Sequence, residues 1–316
     1  MCTSCSGSDV RSAYSPGEMP DLGVEAPAVR AHWERLGLTG LIDVHTHFMP
    51  ANVLDKVWAY FDAAGPKVGR KWPITYRLPE EERVERLREF GVRAYSSMLY
   101  PHRSEMASWL NAWSADFANR HPDCLHTATL FPEPEVGDYV RHALQAGAQV
   151  FKSHIQVGEY DPGDRLLDPA WGALTDAGVP TVIHCGGGPV PGTFTGPGPV
   201  RALLERFPKL PLIIAHMGMP EYSEFMDLAV EFENVYLDTT MAFTPFTEEF
   251  LPFPSSGRNR LSDLGEKILF GTDFPNIPYP YITQLDSLVE LDLGDGWLRA
   301  VLHDNAARLF AIAADD

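Results

Sequence analysis

The sequence predicts a single (β/α)8 barrel of the TIM type. Three observations carry that expectation: short apolar runs recur at a steady interval, helical patterns fill the gaps, and histidines and acids gather where the runs end. The runs are continuous rather than alternating, which marks strands covered on both faces and therefore parallel. Eight are expected, at residues 41–44, 92–99, 125–130, 148–155, 180–183, 210–215, 235–237 and 267–270. Eight strand and helix units over roughly 270 residues fit the usual size of such a barrel. A doubly wound open sheet would need fewer strands or a glycine-rich turn after the first strand. Here that turn reads His-Thr-His-Phe-Met-Pro.

In chain order, residues 1–27 read as a flexible leader and 28–316 as one barrel domain with no internal repeat or dividing linker. Cys2 and Cys5 form a C-x-x-C inside the leader, with no second pair to complete a zinc site and no adjacent βαβ unit. The start lacks the basic and apolar regions of a secretory signal. Helices are expected at 28–38, 80–90, 104–119, 135–146, 168–177, 199–207, 220–232 and 282–291. Several meet the next strand through a glycine (Gly91, Gly147, Gly178), the usual joint between a helix and a strand.

Composition narrows the partners. Lysine and arginine total 25 against 43 aspartates and glutamates, for a formal net charge of −18. That balance argues against nucleic acid and anionic membranes, which need a basic footprint. No run is long and apolar enough to span a bilayer. Cys124 and Cys185 sit beside apolar runs and read as buried thiols, which suits a reducing, cytoplasmic setting.

The active face of a barrel is the C-terminal end of its strands. The residues expected there are Asp43, His45 and His47, then Lys152 and His154, then His184, His216 and Asp273. His45 and His47 are two apart and so share a side, forming an imidazole pincer suited to zinc, iron, nickel or copper rather than magnesium or calcium. Two further strand-end histidines and a carboxylate would complete a site with room for water. His32, His102, His121, His126, His142 and His303 read as ordinary hydrogen-bonding residues.

These motifs resemble the amidohydrolase superfamily, in the branch that includes aminocarboxymuconate semialdehyde decarboxylase. The matching segments are D-V-H-T-H (43–47), I-I-A-H-M-G (213–218), L-F-G-T-D-F-P (269–275) and H-D-N-A-A-R-L-F (303–310). The resemblance implies His45, His47 and His184 as metal ligands and Asp273 as a ligand or general base. It implies His216 as an acid/base or electrophilic group. It favours one divalent metal, zinc first, with manganese or iron as alternatives. A two-metal site bridged by carbamylated Lys152 is the lesser expectation. Asp43 would orient a ligand or brace the strand end, and His154 would line the pocket or serve structure. A homodimer is also implied.

Two reactions fit such a site. One is hydrolysis of a small amide, lactone or ester by metal-activated water, with Asp273 taking the water's proton. The other is non-oxidative decarboxylation of a small aromatic or unsaturated acid. A binding protein without chemistry would be marked by a lost ligand, and none is lost. The loops at 48–77 and 239–256 are expected to shape the pocket, since they bring aromatic rings (Trp58, Tyr60, Phe61, Trp72, Phe246, Phe250). Lys67, Arg70, Lys71, Arg77, Arg258 and Arg260 lie in or beside them as candidate partners for an anionic substrate.

Overall fold

The computed structural model describes residues 16–313, so the Cys2 and Cys5 pair and most of the expected leader lie outside the described residues. The strands are β1 (Leu41–Asp43), β2 (Val92–Ser96), β3 (Cys124–Leu125), β4 (Thr127–Thr129), β5 (Val150–His154), β6 (Thr181–His184), β7 (Leu212–Ile214), β8 (Val235–Asp238) and β9 (Ile268–Leu269). Every pairing is parallel, in the spatial orders β1-β2-β3 and β4 through β9. Helices occupy the intervals between strands, the TIM-type arrangement.

The run expected as one strand at 125–130 is broken at His126. Its carbonyl accepts from the Gln149 N–H (2.8 Å), and its N–H donates to the Gln149 side chain (3.1 Å), so it leaves the ladder between β3 and β4. Threonine 127 spans that break, because its hydroxyl accepts from the Ser97 N–H (2.9 Å) beyond β2. The first and last strands are joined past their ends. Val44 N–H donates to Phe270 C=O (2.9 Å), Asp273 N–H to His45 C=O (2.8 Å), and His47 N–H to Phe274 C=O (2.7 Å).

Strand parity divides the core. Ile42, Val44, Val150, Val182, Ile213 and Leu269 pack together as one cluster, while their neighbours Leu41, Phe151, Ile183, Leu212, Ile214, Ile268 and Phe270 belong to the larger cluster beneath the helices. Successive side chains alternate faces, so Lys152 and His154 share the face of Val150, and His184 shares that of Val182. The H-D-N-A-A-R-L-F segment closes onto the same cluster through Ala306 and Phe310. Its Asn305 amide donates to the carbonyls of Gly265 (2.7 Å) and Ile268 (2.8 Å).

The main helices are α1 (Leu22–Glu34), α2 (Ala51–Ala63), α3 (Glu80–Glu89), α4 (Ala107–Arg120), α5 (Val136–Gln145), α6 (Asp168–Ala177), α7 (Pro197–Arg206), α8 (Tyr222–Glu231) and α9 (Ile282–Val289). Two differ from expectation. Helix α1 begins inside the expected leader because Glu25, fully buried, accepts from the Tyr76 hydroxyl (2.5 Å) and the Tyr281 N–H (2.9 Å). Helix α2 occupies the first half of a segment expected as a loop. Its Val53, Val57 and Leu54 pack with Met49, Leu99 and Leu110.

Candidate metal centre

Beyond Asp43 the chain leaves β1, and His45 and His47 project from the turn that follows. Close approach is possible because Gly271 stands opposite: a Cβ there would meet the Thr240 hydroxyl and come within 2.9 Å of the His45 Cβ. Both rings are buried. His47 Nδ1 donates to the Met98 carbonyl (2.8 Å), an acceptor only, which leaves its Nε2 as the nitrogen that faces Asp273. His45 Nδ1 donates to the Asp238 carboxylate (2.9 Å), which fixes the same tautomer. Burial, and then the nearby Lys152 charge, push the His45 pKa down to about 3, so the ring is neutral.

Both Nε2 atoms meet Asp273. Its Oδ1 lies 2.8 Å from His47 Nε2 and 3.6 Å from His45 Nε2. Burial opposes charge on Asp273, but His47, His216 and His45 outweigh it and hold the carboxyl well below the usual range. At that distance the nitrogen and the carboxylate oxygen share either a proton or a bound cation. His45, His47 and Asp273 are also a group whose donor atoms all lie within 4.8 Å of one another. Two imidazoles and a carboxylate, each imidazole oriented through its other nitrogen, form a donor set that fits a divalent transition metal.

The remaining expected residues surround this group. Lys152, fully buried, donates to His45 Nε2 at 3.0 Å, and burial lowers its pKa to about 8. His184 was expected as a ligand, but its Nε2 donates to the Gly188 carbonyl (3.2 Å) and it is outside the converging group. Its ring stacks on His154 at 4.1 Å and lies 4.8 Å from the ring of His216. Tyr100 covers the far side of His154 at 4.5 Å. Burial pushes the pKa values of His154 and His184 well down and that of His216 down, favouring neutral rings. His216 Nδ1 donates to the Thr240 carbonyl (3.1 Å), leaving Nε2 as its other ring nitrogen, and the residue lines the cavity.

Asp43 lies beneath the site rather than in it. Its carboxylate accepts from the His45 N–H (3.2 Å), the Thr272 hydroxyl (2.6 Å) and the Tyr281 hydroxyl (2.9 Å), clasping the β1 end to the turn that carries Asp273. The carboxylate that touches a candidate ligand ring is Asp238, which is not among the residues expected at the site from sequence. Its signal was present in V-Y-L-D at the end of an apolar run, the same placement as Asp273.

The cavity above the donors measures about 1250 Å³. Tyr60, Phe61, Trp72, Tyr100, Trp109, Phe194 and Phe250 contribute rings to its wall, and Lys56, Lys67 and Arg103 contribute cations. Other loop cations are engaged elsewhere. Arg70 lies over the Phe246 ring at 3.8 Å and pairs with Glu249 (3.0 Å), Arg77 pairs with Asp62 (2.5 Å), and Arg260 pairs with Asp227 (2.7 Å). Trp58 and Trp72 both donate to Asn276, at its side chain (3.0 Å) and its carbonyl (2.8 Å), tying the 48–77 segment to the chain just after Asp273.

Fold and site together define a metal-dependent enzyme of the barrel type, with the donors at the strand ends. Residues 42–312 match the family model described as amidohydrolase, and the chain belongs to that family. No curated protein sequence matches it significantly. Among solved structures, a TIM-barrel protein from Bordetella bronchiseptica, itself uncharacterized, is similar with a TM-score of 0.69 and 22% identity, over 86% of this chain and 98% of that one. A 2,6-dihydroxybenzoate decarboxylase from Rhizobium is similar with a TM-score of 0.62 and 17% identity, over 87% and 99%. A probable 2-pyrone-4,6-dicarboxylic acid hydrolase from Acinetobacter baumannii gives 0.57 and 13%, over 86% and 100%. At these identities the likeness is one of fold. Among the described residues, no helix is long and apolar enough to cross a membrane.

Proposed function

We propose that this amidohydrolase hydrolyses a small carbonyl compound, an amide, lactone or ester, at a single divalent metal held by His45, His47 and Asp273, with zinc the first candidate. The observation that carries the reading is His216. It is partly buried, its Nδ1 is placed to donate to the Thr240 carbonyl (3.1 Å), and it lines the same cavity as the metal donors.

A divalent ion, when bound, supplies Lewis acidity and a nucleophilic water near neutral pH. His216 would act as the acid/base group, accepting a proton from the attacking water and returning it to the leaving group. Asp273 is a poorer base than expected from sequence, because its neighbours hold its carboxyl so far down; it stays ionised as a donor to the metal. Lys152 presents an ammonium beside the same centre, where it balances Asp238 and Asp273. The aromatic wall favours a flat substrate.

Decarboxylation is the second reading, favoured by one observation: Lys56, Lys67 and Arg103 on the cavity wall supply cations for a substrate carboxylate in a chain of net charge −18. Turnover of aryl carboxylates, lactones and amides in ¹⁸O-water separates the two. Hydrolysis places one ¹⁸O in the product; CO₂ release without incorporation overturns hydrolysis and selects the lyase.

A further inference from the structure

We infer that Asp238 is a positioning residue with two separate tasks: one carboxylate oxygen sets the tautomer of His45, and the other holds the backbone that presents His216. The inference rests on reading His45 as a ligand and His216 as the acid/base group. Asp238 ends β8, fully buried. Its Oδ2 accepts from His45 Nδ1 at 2.9 Å. Its Oδ1 accepts from the N–H of His216 at 2.8 Å and from that of Thr240 at 3.1 Å.

The backbone at His216 needs such a restraint. His216 and Met217 both have φ of +54°, followed by Gly218 at +75°. Left-handed non-glycine residues persist only where their surroundings over-determine them. Gly218 is clamped from the other side, since a Cβ there would overlap the Phe225 ring. The Asp238 oxygen supplies the matching constraint at the His216 N–H, and Thr240 adds its carbonyl to the ring.

The two tasks cannot both survive replacement of the carboxylate by an amide. Asp238→Asn keeps one acceptor oxygen and gains an NH₂. Two backbone N–H groups cannot become acceptors, so the oxygen stays with His216 and Thr240. The NH₂ then faces His45 Nδ1, and the ring must move its proton to Nε2, the nitrogen directed at Asp273 and Lys152. A protonated Nε2 cannot ligate.

The test uses the full chain with ¹⁵N-labelled histidine, together with Zn²⁺ affinity by chelator competition. In metal-free wild type, His45 is expected as the Nδ1–H tautomer. In Asp238→Asn it is expected as Nε2–H, with Zn²⁺ affinity reduced about 10- to 100-fold, the range seen when the partner of a ligand histidine is lost. Asp43→Asn is the matched control, because it alters a buried acid that touches the His45 backbone and not its ring; its His45 stays Nδ1–H. An Nε2–H ring in wild type overturns the inference, and so does wild-type affinity and tautomer in Asp238→Asn. The wild-type tautomer alone decides it if that variant does not fold. Failure of the chain to hydrolyse any carbonyl substrate would sink the proposed reaction without altering these readouts.

Discussion

Asp43 and Asp238 are both buried acids at strand ends, and they have opposite fates. Asp43 sits in the joint between β1 and the segment after β9. Burial pushes its pKa up to about 7, and two hydroxyls and one amide only partly offset that. Asp238 lies beside the donor group, where its contacts with His45 and then His216 outweigh burial and bring it down to about 2. Hydroxyl partners can reverse their roles when a carboxylate gains a proton, whereas ring and backbone N–H partners demand an acceptor. The comparison separates two regions: a clasp of neutral-tolerant contacts that fixes where the strand ends stand, and a charged group that fixes which nitrogen atoms face the cavity.

Variants sharpen that contrast in order of expected effect. His45→Ala and His47→Ala remove donors outright and should abolish metal retention and turnover; survival of either would break the assignment of the charged region. His216→Asn should retain metal and lower kcat by about 10² to 10⁴, the usual worth of a general acid/base, measured with KM on the best substrate of the panel. An unchanged kcat would move that role to another group.

The clasp should respond in stability instead. Tyr281→Phe removes a hydrogen bond to Asp43 and should cost about 1 to 2 kcal/mol in denaturant unfolding, with metal affinity kept within about twofold. A large loss of metal affinity would show that the two regions are not separable. The smallest effect is a pH dependence at Glu25, which belongs to the same buried network through Tyr281 and Tyr76. Burial raises its pKa from 4.5 to about 7. The folded state therefore binds a proton that the unfolded state releases first, so its stabilising contribution is present below about pH 4.5 and is lost as pH rises through 7. Glu25→Gln has no such loss. Its melting temperature relative to wild type should become more favourable between pH 6 and pH 7, by about 1 kcal/mol in equivalent stability; a pH-independent difference would contradict this.

Much of this was legible in the sequence. Continuous apolar runs marked the parallel strands, and H-x-H with strand-end Asp273 marked the donors that converge. What escaped depended on contacts from elsewhere in the chain. The tautomer of His45 is set by an acid 193 positions away, and His184 Nε2 lies 3.2 Å from the Gly188 carbonyl, outside the converging group. The break at His126 goes with a paired exchange with Gln149, 23 positions on, which no periodicity reports. Helix α2 is legible in Val53, Val57 and Phe61 at four-residue spacing, but the aromatic and basic residues of the same segment resemble those of a surface loop. Arg70 and Arg77, candidates for the pocket from sequence, are paired within the loops that frame it.

The central claim is that His45, His47 and Asp273 hold one divalent metal. Anomalous diffraction from crystals of the Zn²⁺-loaded protein, with the metal content of the same sample, tests it most directly. One anomalous peak per chain about 2.0 to 2.2 Å from His45 Nε2, His47 Nε2 and an Asp273 oxygen is the expected result. No peak at these atoms, or two peaks bridged by a modified Lys152, would contradict it.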